Sequence, residues 1–249
     1  MIRRFNYTGR KKIKRERIEI TLLNDKNGRY FKARVNLDGL GFAPDAKIII
    51  EPHYKGVQQR FHFGTVADFR EPADTRLSEL PDTELVFFDV SVVDDSQEVG
   101  LILGKASAVP AGIQDSPGSR IPLLYVNSVD LKDQIWKVSF EGADGRPILE
   151  INNRIPELKD LLRHNKTFIS LVYPIAFRII LRQIAEEDHY DDIETWQGQW
   201  FRFLETALGI TTFPEKDLDN ESQDIDSWID DCVNAFCRKT NMIEKLTEK

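Results

Sequence analysis

The hydrophobic period of this chain changes once, near Arg154, from about 2 to about 3.6, which restricts it to a fold in which sheet precedes helix. Upstream, Ile18, Ile20 and Leu22 alternate with polar neighbours, and so do Phe31, Ala33, Val35 and Leu37. Asn27-Gly28 between the two runs is a strong hairpin signal, because both residues tolerate the left-handed backbone of a tight turn. Further strand-like runs occupy 47–51, 57–65, 85–93, 99–104, 121–126, 134–140 and 147–151, separated by Gly, Pro and Asp turns. Nine short strands without intervening helices predict an antiparallel β-sandwich or barrel-like domain over 16–155. The stretch 105–120, rich in Pro, Gly and Ser, is expected to be a long loop.

Downstream, 156–249 reads as a bundle of about four helices, so the fold class is α+β. Pro156 opens a first helix to 164. A second, 167–187, takes Thr167 as N-cap and is interrupted by Pro174. Apolar residues surround this second helix (Phe168, Leu171, Val172, Ile175, Ile179, Ile180, Ile184), the pattern of a bundle's central helix and not of a membrane span. The third, 192–208, aligns Trp196, Trp200, Phe203 and Ala207. The fourth repeats apolar residues from Ile225 to Leu246, with Asp192 and Ser222 as further candidate caps.

Charge divides the chain a second time. Arg3, Arg4, Arg10, Lys11, Lys12, Lys14, Arg15 and Arg17 stand against a single Glu16 in the first 17 residues, although the whole chain carries a net charge of −7. With Phe5 and Tyr7 interleaved, this segment has the composition of a site for phosphates and stacked bases, or for an acidic protein. Residues 1–15 are therefore expected to form a basic arm outside the fold, with the first strand starting near Arg17. Between 183 and 231, fifteen Asp and Glu face only Arg202 and Lys216. Helix-start capping accounts for part of this surplus. The remainder, with Glu186, Glu187, Asp188, Asp191, Asp192, Asp230 and Asp231 as its densest members, predicts a surface that docks a basic groove on a protein partner. Arg182 is one turn from Glu186, whereas Arg178 lacks a helical mate and is expected to pair across an interface.

Catalytic motifs are absent. The chain contains no G-x-S-x-G, H-E-x-x-H, Walker or dinucleotide-binding pattern, and Gly100 and Gly104 lie in a strand-like run, where a bulge or hairpin role is expected. His53, His62, His164 and His189 show no ligand spacing, so neither a metal nor a cofactor is expected. Cys232 and Cys237 are five residues apart on one predicted helix, where they point away from each other and suit no disulfide. A cysteine-poor chain without an apolar run after its basic start is expected in the cytoplasm.

These features predict a non-enzymatic accessory or scaffold subunit of a multiprotein intracellular complex, by analogy with the architecture of subunits in bacterial defence or DNA-processing machines. Its partners would be one or more protein subunits, with nucleic acid at the basic arm and no membrane. A divergent metal-dependent nuclease or hydrolase is the alternative, with Asp82, Glu84, Asp89 and Glu150 as its carboxylates, although the Glu-x-Lys spacing of such sites is missing. A stand-alone nucleic-acid-binding protein is the third reading.

Overall fold

A computed structural model describes residues 9–81, 83, 85–96, 100–111, 122–141, 145–186, 195–213 and 221–247. Among these, eleven strands and five helices form a mixed α+β chain: β1 (Lys11–Lys12), β2 (Ile18–Asp25), β3 (Gly28–Val35), β4 (Lys47–Tyr54), β5 (Val57–Gln58), β6 (Phe61–Thr65), β7 (Phe87–Asp94), β8 (Leu101–Pro110), β9 (Tyr125–Val129), β10 (Trp136–Glu141), β11 (Arg146–Asn152), α1 (Leu158–His164), α2 (Lys166–Glu186), α3 (Trp196–Phe203), α4 (Glu221–Lys239) and α5 (Met242–Thr247). They divide into two compact units, Met1–Arg120 with Glu141–Asp144, and Ile121–Phe140 with Gly145–Lys249. The last three strands thus group with the helices and not with the other strands.

In the first unit the sheet order is β1-β8-β7-β4-β5, with β6 also pairing β4. The ladder begins earlier than the alternating pattern does. Lys11 and Lys12 pair in parallel with Gly104 and Lys105, Ile13 N donates to Lys105 O at 2.9 Å, and the Ile13 side chain is buried. Part of the expected free arm is therefore built into the sheet. A two-residue strand leaves no period to read, so sequence alone misses it. The other described pairings of this sheet are antiparallel.

The two faces of the sheet differ in chemistry. Ile48, Ile50, Phe88, Val90 and Val92 are buried on one face, and register places Glu51, His53, Asp89 and Ser91 on the other. The β2–β3 hairpin forms around Asn27-Gly28 as its sequence predicts: Asn27 N donates to Asp25 Oδ1 at 2.7 Å, and Gly28 has φ +108°. Phe31 of β3 packs against Phe61, Phe63 and Phe88 at centroid distances of 5.1, 5.7 and 4.9 Å. Gly104 meets a steric demand, since a Cβ there would come within 2.4 Å of the Phe42 ring. β8 continues to Pro110 and so takes in the start of the expected loop. Residues 112–120 lie outside the described ones.

In the second unit β11 lies between β10 and β9 and runs parallel to β9, a second departure from the antiparallel expectation. Leu149 and Ile151 pack on Leu158, Leu162, Val172 and Ala176. A separate helical core joins Phe177, Ile180, Leu181, Ile184, Trp196, Trp200, Trp228, Ile229 and Cys232. α2 is continuous through Pro174, and Asn165, not Thr167, caps it by accepting from Phe168 N at 2.9 Å. Nor is it buried all round. Leu171, Ile175 and Ile179 are 60%, 50% and 36% exposed. α2 is the one helix among the described residues long and apolar enough to cross a membrane, by length and composition alone. α3 starts at Thr195, whose Oγ1 accepts from Gly198 N at 3.1 Å, and a π-helical turn, Leu204–Leu208, follows it. Asp192 lies outside the described residues, and Ser222 falls inside α4.

Candidate functional site

The polar face of the six-stranded sheet carries the most concentrated buried charge in the first unit. Glu51 of β4 stands directly opposite Asp89 of β7, and the two are 9% and 8% exposed. Like charges directly across a ladder repel, and two cations and a histidine lie against the pair. Lys105 Nζ lies 2.8 Å from Asp89 Oδ2, His53 Nε2 lies 3.4 Å from Asp89 Oδ1, and Arg60 Nε donates to Glu51 Oε1 at 2.7 Å. A fourth donor comes from the backbone. Where the β7–β8 register shifts, Ala108 adopts φ +50°, strained for a residue with a Cβ, and its N–H donates to Asp89 Oδ1 at 2.9 Å.

These contacts determine what Asp89 can do. Burial, the largest influence, pushes its carboxyl upward. Hydrogen bonds from His53, Lys105 and Ala108, with the charge of Lys105, outweigh burial and hold it at about 2. A carboxylate so stabilised is a weak base, fixed in one geometry by donors from the two strands that flank its own. It suits electrostatic support of the sheet better than proton transfer. Sequence singles out Asp89 but not its neighbours. Glu51, His53, Arg60 and Lys105 become a cluster only through register.

Glu150 belongs to the second unit, where it is fully buried and 3.4 Å from Lys137 Nζ of β10. Asp82 and Glu84 lie outside the described residues. Among the described residues no three His, Cys, Asp or Glu side chains group as a metal-ligand set. Burial, reinforced by Asp231, pushes the Cys232 thiol up to about 12, so it is not a nucleophile at neutral pH.

Of the basic segment, Arg3, Arg4, Phe5 and Tyr7 lie outside the described residues. Some of the remaining cations are engaged within the fold. Lys11, although exposed, donates to Leu40 O at 2.6 Å and Gly41 O at 3.0 Å, with its ammonium 5.3 Å from the centre of the Phe42 ring. Arg17 donates to Asp38 O at 2.8 Å. Arg10, Lys12 and Lys14 are exposed, and Arg15 is half-buried in a 3-10 turn.

In the acidic region Glu187, Asp188, Asp191 and Asp192 lie outside the described residues, while Glu186 is exposed at the end of α2. Asp230 pairs with Arg178, and Asp226, not Glu186, pairs with Arg182. Arg178 thus finds its mate on a neighbouring helix of its own unit. The two pairs run in opposite sequence directions and tie α2 antiparallel to α4. Asp231 is exposed beside them. A comparison with protein-family models, curated proteins and solved structures finds no match to this chain.

Proposed function

We propose that this chain is a non-enzymatic adaptor subunit of a cytoplasmic multiprotein assembly. In this reading the first unit is a sandwich-like platform, with the β2–β3 hairpin laid on the larger sheet through Phe31. The basic segment engages a polyanionic partner, nucleic acid or an acidic protein, and the acidic helical unit docks a second protein. The observation that carries the reading is the anchoring of the basic segment. β1 and the buried Ile13 pin it to the sheet edge, with Lys12 and Lys14 exposed on either side of Ile13. Cations held on a rigid element lose less freedom on binding than cations on a free tail.

The test is an affinity capture of the intact chain and of a Lys12→Glu, Lys14→Glu variant from native lysate, with and without nuclease, read by mass spectrometry. Capture of a defined protein that survives nuclease is expected. Nucleic acid alone, lost in the variant and lost steeply with salt, would replace the adaptor reading with a direct binder.

One observation favours the hydrolase alternative, the Glu51–Asp89 pair with a lysine 2.8 Å from Asp89. If that reading holds, nucleic-acid cleavage in Mg2+ or Mn2+ disappears in Asp89→Asn. Cleavage that persists in this variant, or none in the wild type, rejects it.

A further inference from the structure

β2 is the outer strand of its sheet, because the other edge of β3 is taken by the segment at 75–77. Phe31 N donates to Thr75 O at 3.3 Å, and Leu77 N to Arg29 O at 3.0 Å. The bonding pattern tells which residues of β2 face outward. Asn36 N donates to Arg17 O at 2.8 Å, in line with a register that runs unbroken from Ile18↔Val35 to Asp25↔Gly28. Bonded pairs alternate along an antiparallel ladder, so Glu19, Thr21 and Leu23 bond β3 as Arg17 does. Ile20, Leu22 and Asn24 then turn their N–H and C=O groups away from it. Among the described residues none of these three makes a backbone bond on the outer side.

Edge strands are normally blunted by shortness, Lys, Pro or a bulge. β2 has eight residues, none of them Lys, Pro or Gly, and no register shift. Its apolar face also stops short. Ile20 and Leu22 are half-exposed, while their β3 partners Ala33 and Phe31 are buried.

We propose that a second copy of this chain lays its β2 antiparallel to this one, joining the two small sheets across a two-fold axis at Thr21. With the axis there, Ile20 exchanges both backbone bonds with Leu22 of the partner subunit. Thr21 meets the partner subunit's Thr21 in a non-bonded pair. At the strand ends Arg17 faces Asp25 of the partner subunit, a carboxylate that in each chain also holds Arg76 at 2.9 Å, and the exposed Glu16 faces the partner subunit's exposed Lys26. Alternative axes set like charges against each other. About Leu22, Glu19 would face Asp25 of the partner subunit, two like charges. About Ile20, Arg15 would face Asp25 of the partner subunit, but Lys14 would face the partner subunit's Lys26, two like charges, and Glu16 would face Asn24 of the partner subunit. An axis between two residues would set outward-bonding positions against inward-bonding ones.

Sedimentation of the full chain over a wide concentration range is expected to show a reversible dimer. Thr21→Cys should form a disulfide-linked dimer under oxidising conditions, because Cα atoms of a non-bonded pair lie about 4.5 Å apart, within reach of a disulfide. Glu19→Cys, whose opposite residue is Leu23, should not link, and the wild type reports any linkage through Cys232 or Cys237. Lys26→Glu sets two like-charged pairs in each dimer and should raise the dissociation constant about tenfold. Glu16→Lys added to it should restore the wild-type constant. Unchanged circular dichroism of each variant confirms its fold. A monomer at every concentration overturns the proposal and leaves the edge to a strand of another protein. A dimer that Thr21→Cys does not link and Lys26→Glu does not weaken also overturns it, because the interface then lies elsewhere.

Discussion

The basic segment and the acidic helix α4 look like mirror images in sequence, each a dense run of one charge, yet the fold uses them differently. In the basic segment Lys11 and Arg17 hold backbone carbonyls, so their charge closes loops. In α4, Asp226 and Asp230 meet side-chain charges of opposite sign, so their charge joins two helices. Both regions keep exposed residues between the ones so used. Charge density along a chain therefore overstates the charge a surface offers to partners, because some of the exposed charges are already engaged by carbonyls or opposite charges of the same fold.

The two regions should also differ in how much of the fold depends on them, and that is open to test. Removing residues 2–15 takes away β1 and Ile13. Since Ile13→Ala alone should cost about 2–4 kcal/mol in chemical denaturation, the deletion should cost more. A deletion that leaves stability unchanged would mean that the basic segment is as peripheral as the acidic surface.

A buried charge sets the next scale. Asp89→Asn leaves Lys105 and His53 facing a neutral group, for an expected loss of about 2–3 kcal/mol, reduced from a fully buried pair because Lys105 remains partly solvated. The sign of its pH dependence follows from a folded value of about 2, below the ordinary 3.8. The stabilisation is complete above about pH 4 and is lost as pH falls toward about 2. It amounts to about 2 kcal/mol. Wild type should lose this increment on acidification, and Asp89→Asn should not.

Smaller effects test the helix pairs. A double-mutant cycle on Arg178 and Asp230 should give a coupling of about 0.5 kcal/mol, as for other exposed ion pairs. A coupling several times larger would show that α4 is held to α2 by charge more than by its apolar face. Smallest of all, Lys12→Glu and Lys14→Glu should each change stability by less than about 0.5 kcal/mol. If nucleic acid is the ligand, each phosphate contact removed should flatten the salt dependence of binding by about one unit of slope.

Much of the fold is legible in the sequence where a pattern is long enough to repeat. Ile18 to Leu37 with Asn27-Gly28 marks the hairpin, and Trp196 and Trp200 mark the buried stripe of α3. Features without a period of their own escape. β1 has two residues, and its burial rests on Ile13 alone. α2 is apolar on a face that no described element covers, since apolar composition does not distinguish a buried face from an exposed one. Of the candidate sites, Asp89 is visible as a charge inside an apolar strand, but the groups that fix its behaviour come from β4 and β8.

Sequence by itself determined the order of sheet and helix, the hairpin and the two zones of charge, because these follow from backbone periodicity and local turn chemistry. Tertiary structure alone decided which strands run parallel, that Glu51 meets Asp89, that Arg178 meets Asp230, and which edge of β2 is left open. Each of these depends on register between segments distant in sequence, and register is set by how whole faces pack rather than by any residue's own preference.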